Sequence, residues 1–472
     1  MTVESVFNLL LQGVIGYFLI SNAFFFLLLA VSFLSIRKST RLQPLLDSIR
    51  ERSSFFAPRI SVIAPARNEE RSIENAVRSF LTLDYPKFEV IVVNDGSLDD
   101  TMKTLKVAFE LTPATLFYDA RLSPSQIRGV FVSKIYSNLL VIDKERGGKA
   151  DSINVGIGFS RSELFCTVDA DSVLERDSLQ RVVLPFLEKP DTMLAVGGTV
   201  RPVNGSDVRQ GRVIRSGLPK NPWALFQIVE YLRAFLFGRV GWSVFSSTMI
   251  ISGAFGLFHR KSVVEAGGYR RDSVGEDMEL ILRLRAYAAS RNLPVDIAFS
   301  PEPVCWTEVP ENARGLGRQR ERWQRGLAET LMSYPQMFLS PKYGFAGFVA
   351  YPYFLFVELL GPLVEVLGYL LALVGGLTGW ISLETILLFF IIDVLFGAVM
   401  STFAVLIEEN AFFKYPRLSQ LSLLMLTALL ESLGYRQFCS FHRVRGLVNY
   451  LRGDRSWSMQ RRIGFQSEAS KG

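Results

Sequence analysis

Histidine is nearly missing from this chain: His259 and His442 are the only two in 472 residues. That argues against a zinc–histidine centre, which draws on several imidazoles. Cysteine is scarce as well. Cys166, Cys305 and Cys439 lie far apart and form no CxxC pair, so neither a thiolate metal site nor a disulfide framework is indicated. A reducing compartment for any soluble part agrees with that. Charged residues make up only 21%, and there is no internal repeat or low-complexity stretch. Collagen-like and disordered classes are excluded by the same composition. What abounds is apolar: 49% of residues are hydrophobic, 37 of them Phe. Charge is therefore segregated, with polar stretches alternating with membrane-grade ones.

The length allows two or three domains. The net charge is +7, and the basic residues crowd beside apolar runs. Arg37, Lys38 and Arg41 follow one run. Arg436, Arg443, Arg445, Arg452, Arg455, Arg461 and Arg462 follow another. This is positive-inside membrane anchoring rather than a nucleic-acid surface. Val6 to Ile36 carries no charged residue and is long enough to cross a bilayer. It is too long for a cleavable signal, follows Glu4 rather than a basic segment, and has no small-x-small site before its basic flank. Residues 1–40 are thus expected to form a transmembrane helix whose C-terminal end faces the cytosol.

Residues 55–340 read as a cytosolic α/β domain. Arg59–Pro65, Phe88–Asp95, Leu139–Asp143 and Leu164–Asp169 are short apolar runs rich in β-branched residues. Helix-like segments such as Glu70–Leu83 and Lys149–Phe159 fall between them. Strands alternating with helices indicate parallel βαβ units, whose ligands sit at the carboxyl ends of strands. Three of the four runs end at or beside Asp95, Asp143 and Asp169. Trp223–Phe258, apolar but broken by Glu230, Arg233 and Arg239, reads as an amphipathic segment lying on the membrane near 223–250, with a second near 315–340. Residues 343–440 form a C-terminal transmembrane and interfacial region, with a hairpin turning near Gly379. Leu418–Leu433 is interfacial, re-entrant or spanning. Residues 441–472 make a basic tail, expected on the cytosolic side. Glu358 and Glu365, seven residues apart, are expected on one helix face along an exit path or paired with arginine.

Five segments carry chemistry. In VVNDGSLDDT, Asp95 ends a strand at a turn-forming Asn-Asp-Gly-Ser; it either shapes that turn or meets a nucleoside. In VDAD, Asp169 and Asp171 leave a buried strand two residues apart, costly without a cation; Mg²⁺ or Mn²⁺ takes such oxygen ligands. The alternative is that Asp171 or Ser172 caps a helix. Gly147-Gly148-Lys149-Ala150 opens a helix where backbone amides and Lys149 suit a phosphate, although it is no GxxxxGKS/T loop. In Gly275-Glu276-Asp277, the carboxylates either complement a helix N-terminus or serve as general base, Asp277 first and Glu276 second. In QRERW, Gln319, Arg322 and Trp323 lie on a basic helix that binds anionic lipid or holds a diphosphate and a sugar ring.

Together with ARNEE (Ala66–Glu70) and SGAFGLF (Ser252–Phe258), these motifs in this order resemble the membrane-integrated, processive family 2 glycosyltransferases: the cellulose, hyaluronan, chitin-oligosaccharide and poly-N-acetylglucosamine synthases. The resemblance covers about Ile60 to Gly326 and the flanking membrane segments. It implies a GT-A (Rossmann-like) domain inserted between N-terminal and C-terminal transmembrane helices, with amphipathic interfacial helices. It also implies a plasma-membrane (inner-membrane) location. Ala66, Glu69, Asp95 and Lys149 would contact the nucleoside or diphosphate, with Asp169 beside the uridine diphosphate. Asp171, with Asp169, would hold Mg²⁺ or Mn²⁺. Asp277 would take the acceptor proton. Gln319, Arg322 and Trp323 would hold diphosphate and acceptor sugar. The implied reaction is inverting transfer from a UDP-sugar onto a growing polysaccharide, beside the lipid bilayer, with room for an accessory secretion subunit. GGKADSIN is closer to the poly-N-acetylglucosamine type than to hyaluronan synthase, which points to UDP-N-acetylglucosamine, with UDP-glucose as the other donor. GED stands where many members have TED or EED. A cyclic-dinucleotide-binding barrel is not expected. The competing readings are single-sugar transfer to a lipid phosphate and a non-catalytic membrane scaffold.

Overall fold

A computed structural model describes residues 2–52, 57–122, 125–415 and 417–454. Arg455, Arg461 and Arg462, and with them most of the expected basic tail, lie outside the described residues. The chain forms two compact units, one built from residues 38–219 and 246–309, the other from 2–37, 220–245 and 310–454.

The first unit holds every strand among the described residues. Its strands are β1 (Ile60–Ala66), β2 (Phe88–Asp95), β3 (Leu111–Pro113), β4 (Ile127–Ser133), β5 (Leu139–Lys144), β6 (Leu164–Val168), β7 (Ser172–Leu174), β8 (Met193–Pro202), β9 (Asp207–Arg209), β10 (Arg212–Arg215), β11 (Phe255–His259) and β12 (Asp296–Thr307). Ten form one sheet in the order β3-β4-β5-β2-β1-β6-β11-β8-β12-β7; β9 and β10 pair separately. The middle strands β5, β2, β1 and β6 are mutually parallel. They are the four runs anticipated from β-branched, apolar composition, and they are buried on both faces as parallel strands require. This is an α/β core of the expected GT-A-like kind.

Parallel pairing sends Ala66, Asp95, Lys144 and Val168 to one edge of the sheet. β11 runs antiparallel to β6, with Phe255 opposite Val168, so the residues leading into β11 arrive at that same edge. Phe255–His259 is therefore a sheet strand. The expected amphipathic run to Phe258 stops earlier, as the helix Pro222–Arg233, a wide-turn segment Ala234–Arg239 and the helix Val240–Val244. The β-branched and aromatic pattern of IISGAFGLF prevails there because its side chains alternate across a fully paired strand.

The second unit is helical. Among the described residues three helical stretches are long and apolar enough to cross a membrane: Val3–Thr40, Ala346–Thr378 and Leu383–Phe412. The last two are joined at Gly379, which sits in the left-handed region at φ 73°. Leu11, Val14, Ile15 and Phe18 of the first helix pack against Leu371, Ala372, Ile381 and Phe389. Leu418–Leu430 spans only about 20 Å at 1.5 Å per residue, short of the roughly 30 Å hydrocarbon core; it is bent by 54° from Tyr435–Leu451.

The glutamates at 358 and 365 both meet arginine, as one of the two expectations had it. Phe354–Leu359 is wound with wider turns and the regular helix restarts at Gly361, yet both carboxylates reach the helix Tyr435–Leu451: Glu358 lies 3.2 Å from Arg443 and Glu365 3.5 Å from Arg436, with Ser440 Oγ donating to Glu365 at 2.7 Å. Charges in an apolar helical bundle are expensive unless paired, and the arginines that looked like a surface cluster supply those partners.

The core of the α/β unit supports a stability test. Phe165 is fully buried on β6 and its ring stacks on Phe258 at a centroid distance of 5.4 Å. Phe165→Ala is expected to destabilise this unit by about 3–5 kcal/mol, read as a lowered thermal unfolding midpoint of the full chain in detergent.

Candidate active site

The sheet edge gathers charge that the strands themselves could not tolerate. Asp95 ends β2 opposite Lys144, which ends β5. Asp95 is almost fully buried, and its carboxylate accepts from the backbone N–H groups of Gly147 at 2.7 Å and Gly148 at 2.9 Å and from Lys144 Nζ at 2.6 Å. The residue expected beside a nucleoside thus also anchors the glycine loop. Asn94 Nδ2 donates to Asp143 at 2.7 Å, which ties β2 and β5 together one residue earlier.

Gly148 has φ 94° and ψ 171°, a conformation open only to glycine at low cost. It sets the entry to the helix Lys149–Phe159 and so the direction of Lys149. Nζ of Lys149 lies 2.6 Å from Asp169 and 3.8 Å from Glu276, and donates to the carbonyl of Gly253 at 3.0 Å. Burial alone would lower the Lys149 pKa, but Asp169 and then Glu276 outweigh it and hold the pKa above the ordinary lysine value. Asp169 follows β6, and the turn closes through Ser172 N–H to the carbonyl of Asp169 at 3.0 Å. Asp171, in that turn, is buried.

Glu276 and Asp277 open the helix Glu276–Ser290. Asp277 accepts from the backbone N–H of Gly253 at 3.0 Å and from its neighbour Met278 at 2.9 Å. Gly253 therefore sits between Lys149 and Asp277. A Cβ there would lie 3.0 Å from Lys149 Nζ and 3.4 Å from Asp277 Oδ2, so a side chain at Gly253 would crowd the lysine. The structure thus brings Lys149, Asp169, Glu276, Asp277 and Gly253 into one cluster.

The ARNEE segment leaves β1 at the buried Ala66. Glu69 is buried and accepts from Ser72 Oγ at 2.7 Å, while its N–H donates to Thr101 Oγ1 at 2.8 Å. Asn68 bonds both Ser97 Oγ and the N–H of Leu98. The loops after β1 and β2 are clipped together in this way.

Gln319, Arg322 and Trp323 stand on the helix Ala313–Ser333 of the helical unit. Gln319 is buried and Trp323 is 43% exposed. Arg320, absent from the expected set, is buried, bonded to Glu230 at 2.6 Å, and stacked on Trp323 with its guanidinium carbon 4.3 Å from the ring centroid. Lys144 and Asp151 were not singled out in the sequence either. A lysine closing an apolar strand run was their one signal. Cys166 and Cys305 are free, and burial pushes both thiols up, so they stay unreactive.

Among the described residues no group of three or more His, Cys, Asp or Glu converges as a metal centre. Asp169 and Asp171 nevertheless fit Mg²⁺ or Mn²⁺ in kind. Both are hard oxygen donors, and such ions are commonly held by one or two carboxylates with substrate phosphates completing the shell.

Residues 58–326, more than half of the chain, match the family described as glycosyltransferase like family 2. Among curated relatives, a poly-beta-1,6-N-acetyl-D-glucosamine synthase of Staphylococcus epidermidis is 27% identical over 273 residues. One of Staphylococcus aureus is 29% identical over 278 residues. Each match covers 58% of this chain and 55% of the relative, so the chain spans about half the length of the curated relatives it matches. Among solved structures, a mannosyltransferase from Pyrobaculum calidifontis in complex with GDP-Man and Mn²⁺ has a TM-score of 0.48 at 20% identity, covering 87% of this chain and 99% of that one. Glucosyl-3-phosphoglycerate synthase from Mycobacterium tuberculosis has 0.35 at 17%, covering 60% and 81%. At TM-scores below 0.5, neither assigns a residue here.

Gly148→Val forces a β-branched residue into the glycine-only region. It is expected to cost about 1–3 kcal/mol, measured as a drop in the thermal midpoint.

Proposed function

This chain belongs to glycosyltransferase family 2, and on that premise we propose that it is a membrane-embedded, processive, inverting polysaccharide synthase using UDP-N-acetylglucosamine. The observation that carries the reading is the arrangement of Lys149 between Asp169 and Glu276, with Asp277 held by Gly253 beside it. A cation and carboxylates at the carboxyl edge of a parallel sheet suit a diphosphate leaving group and a hydroxyl nucleophile. The names of the curated relatives favour N-acetylglucosamine as the sugar.

In this reading Lys149 receives the diphosphate, and Asp95, by holding the Gly147 and Gly148 amides, fixes the loop that aims it. Mg²⁺ or Mn²⁺ held by Asp169 and Asp171 would add positive charge where negative charge builds on the leaving diphosphate. Asp277 accepts the proton of the attacking hydroxyl; the Gly253 and Met278 amides aim its carboxylate. A single displacement turns an α-linked donor into a β-linked product. As the resemblance implies, Gln319, Arg322 and Trp323 would hold the diphosphate and the acceptor sugar. Arg37 and Lys38 follow the charge-free run Val6–Ile36, which favours the catalytic unit on the cytosolic side of the plasma membrane. The polymer then leaves through the apolar helices, with or without an accessory subunit.

Incubating the detergent-solubilised chain with a panel of UDP-sugars, then analysing product length and linkage, tests the proposal. Long β-linked N-acetylglucosamine chains are expected; a single transferred sugar would end the processive reading. Asp277→Asn is expected to lower kcat by about 10²–10⁴-fold with the midpoint of unfolding little changed. Chelation with EDTA is expected to abolish incorporation and added Mn²⁺ or Mg²⁺ to restore it, followed by radiolabel counting.

A further inference from the structure

Lys144 lies outside every motif and takes no part in the proposed chemistry, yet it is one of the largest fully buried side chains in the protein. An ammonium group with no exposure needs its three N–H donors satisfied by the protein. All three are. Nζ lies 2.6 Å from Asp95 Oδ1, 2.8 Å from Asp151 Oδ2 and 2.7 Å from the carbonyl of Glu145. Asp151 is itself fully buried and also meets Ser125 Oγ at 2.5 Å and Arg271 at 3.3 Å.

The two carboxylates are attached to different parts of one loop. Asp95 takes the amides of Gly147 and Gly148, at the loop's apex. Asp151 sits in the first turn of the helix Lys149–Phe159, just past the loop. Lys144 thus joins the loop's outer anchor to its inner one, across Gly147, whose missing side chain leaves room for the contact. A Cβ at Gly147 would come within 2.9 Å of Lys144 Nζ and would collide with the Asp151 carboxylate. The residue fixed between the two anchors is Lys149.

We propose that Lys144 is a positioning residue for nucleotide-sugar binding: bridging Asp95 and Asp151, it holds the Gly147–Lys149 loop in the shape that receives a diphosphate. This rests on the functional reading above. Lys144 touches neither donor nor acceptor and acts through the loop. Without it, two buried carboxylates face each other across the loop; Asp151 keeps Arg271 at 3.3 Å, but the cation that bridged it to Asp95 is gone. Asp95 then gains by turning away, and the two glycine amides lose their acceptor.

The test uses the full chain in detergent with two readouts, the second independent of catalysis. The variants are Lys144→Met and, because a buried carboxylate pair left alone can prevent folding, Asp151→Asn, which cuts only one of the links. Calorimetric titration with UDP alone, and initial rates against UDP-N-acetylglucosamine, are expected to show at least tenfold weaker UDP binding and a matching rise in KM for Lys144→Met. A smaller rise is expected for Asp151→Asn, and kcat should fall much less than KM rises. Hydrogen exchange of the Gly147–Lys149 amides should speed up at least tenfold in both variants while β1 and β2 keep their protection. Unchanged UDP affinity together with unchanged loop exchange, in whichever variant folds, would overturn the proposal and leave Lys144 as charge compensation only. If the wild-type chain takes no UDP-sugar, the functional reading falls, while loop exchange still reports whether Lys144 holds the loop.

Discussion

The constraint on which the catalytic unit depends is electrostatic. Four parallel strands buried on both faces deliver carboxylates to one edge, where water is partly excluded and like charges repel. Asp95, Asp151, Asp169, Glu276 and Asp277 are all there. Two lysines on one connection make that tolerable. Lys144 is fully buried and serves Asp95 and Asp151; Lys149 is partly open and serves Asp169 and Glu276. The buried lysine's donors are consumed by the protein. The open one keeps a solvent-facing side. Five residues of separation along the chain therefore divide a fully buried ion-pair network from a partly open one.

Glycine does a matching job on the backbone. Gly148 occupies a conformation that other residues enter only with strain, and Gly253 leaves space between Lys149 and Asp277. The first controls where a cation points; the second controls how closely a cation and a carboxylate approach. Neither contributes a functional group, yet both bound the geometry that the charged residues adopt.

The helical unit solves the same problem in apolar surroundings. Glu358 and Glu365 pair with Arg443 and Arg436, Glu431 with Arg233, and Glu230 with Arg320. Each ion pair links helices distant in sequence, so polar residues that interrupt apolar runs become the ties between them. Arg320 differs from the rest by stacking on Trp323, so a buried pair also orients an exposed aromatic ring.

Much of this was legible in the amino-acid order. β-branched apolar runs separated by helical periodicity specify parallel strands, because only a doubly covered sheet buries both faces of such runs. Asp at their ends then marks the ligand edge. Gly-Gly-Lys before a helix and Gly-Glu-Asp opening another were visible because short-range backbone rules govern helix starts. A charge-free run such as Val6–Ile36 announces its own length. Tertiary structure alone decided the partners. That Asp95 holds Gly147 and Gly148, that Lys144 is buried between Asp95 and Asp151, that Phe255–His259 joins the sheet and that Glu358 and Glu365 meet arginines some 70 to 85 residues away all depend on which segments meet in space. Charges interact through distance, and chain order sets distance only for near neighbours.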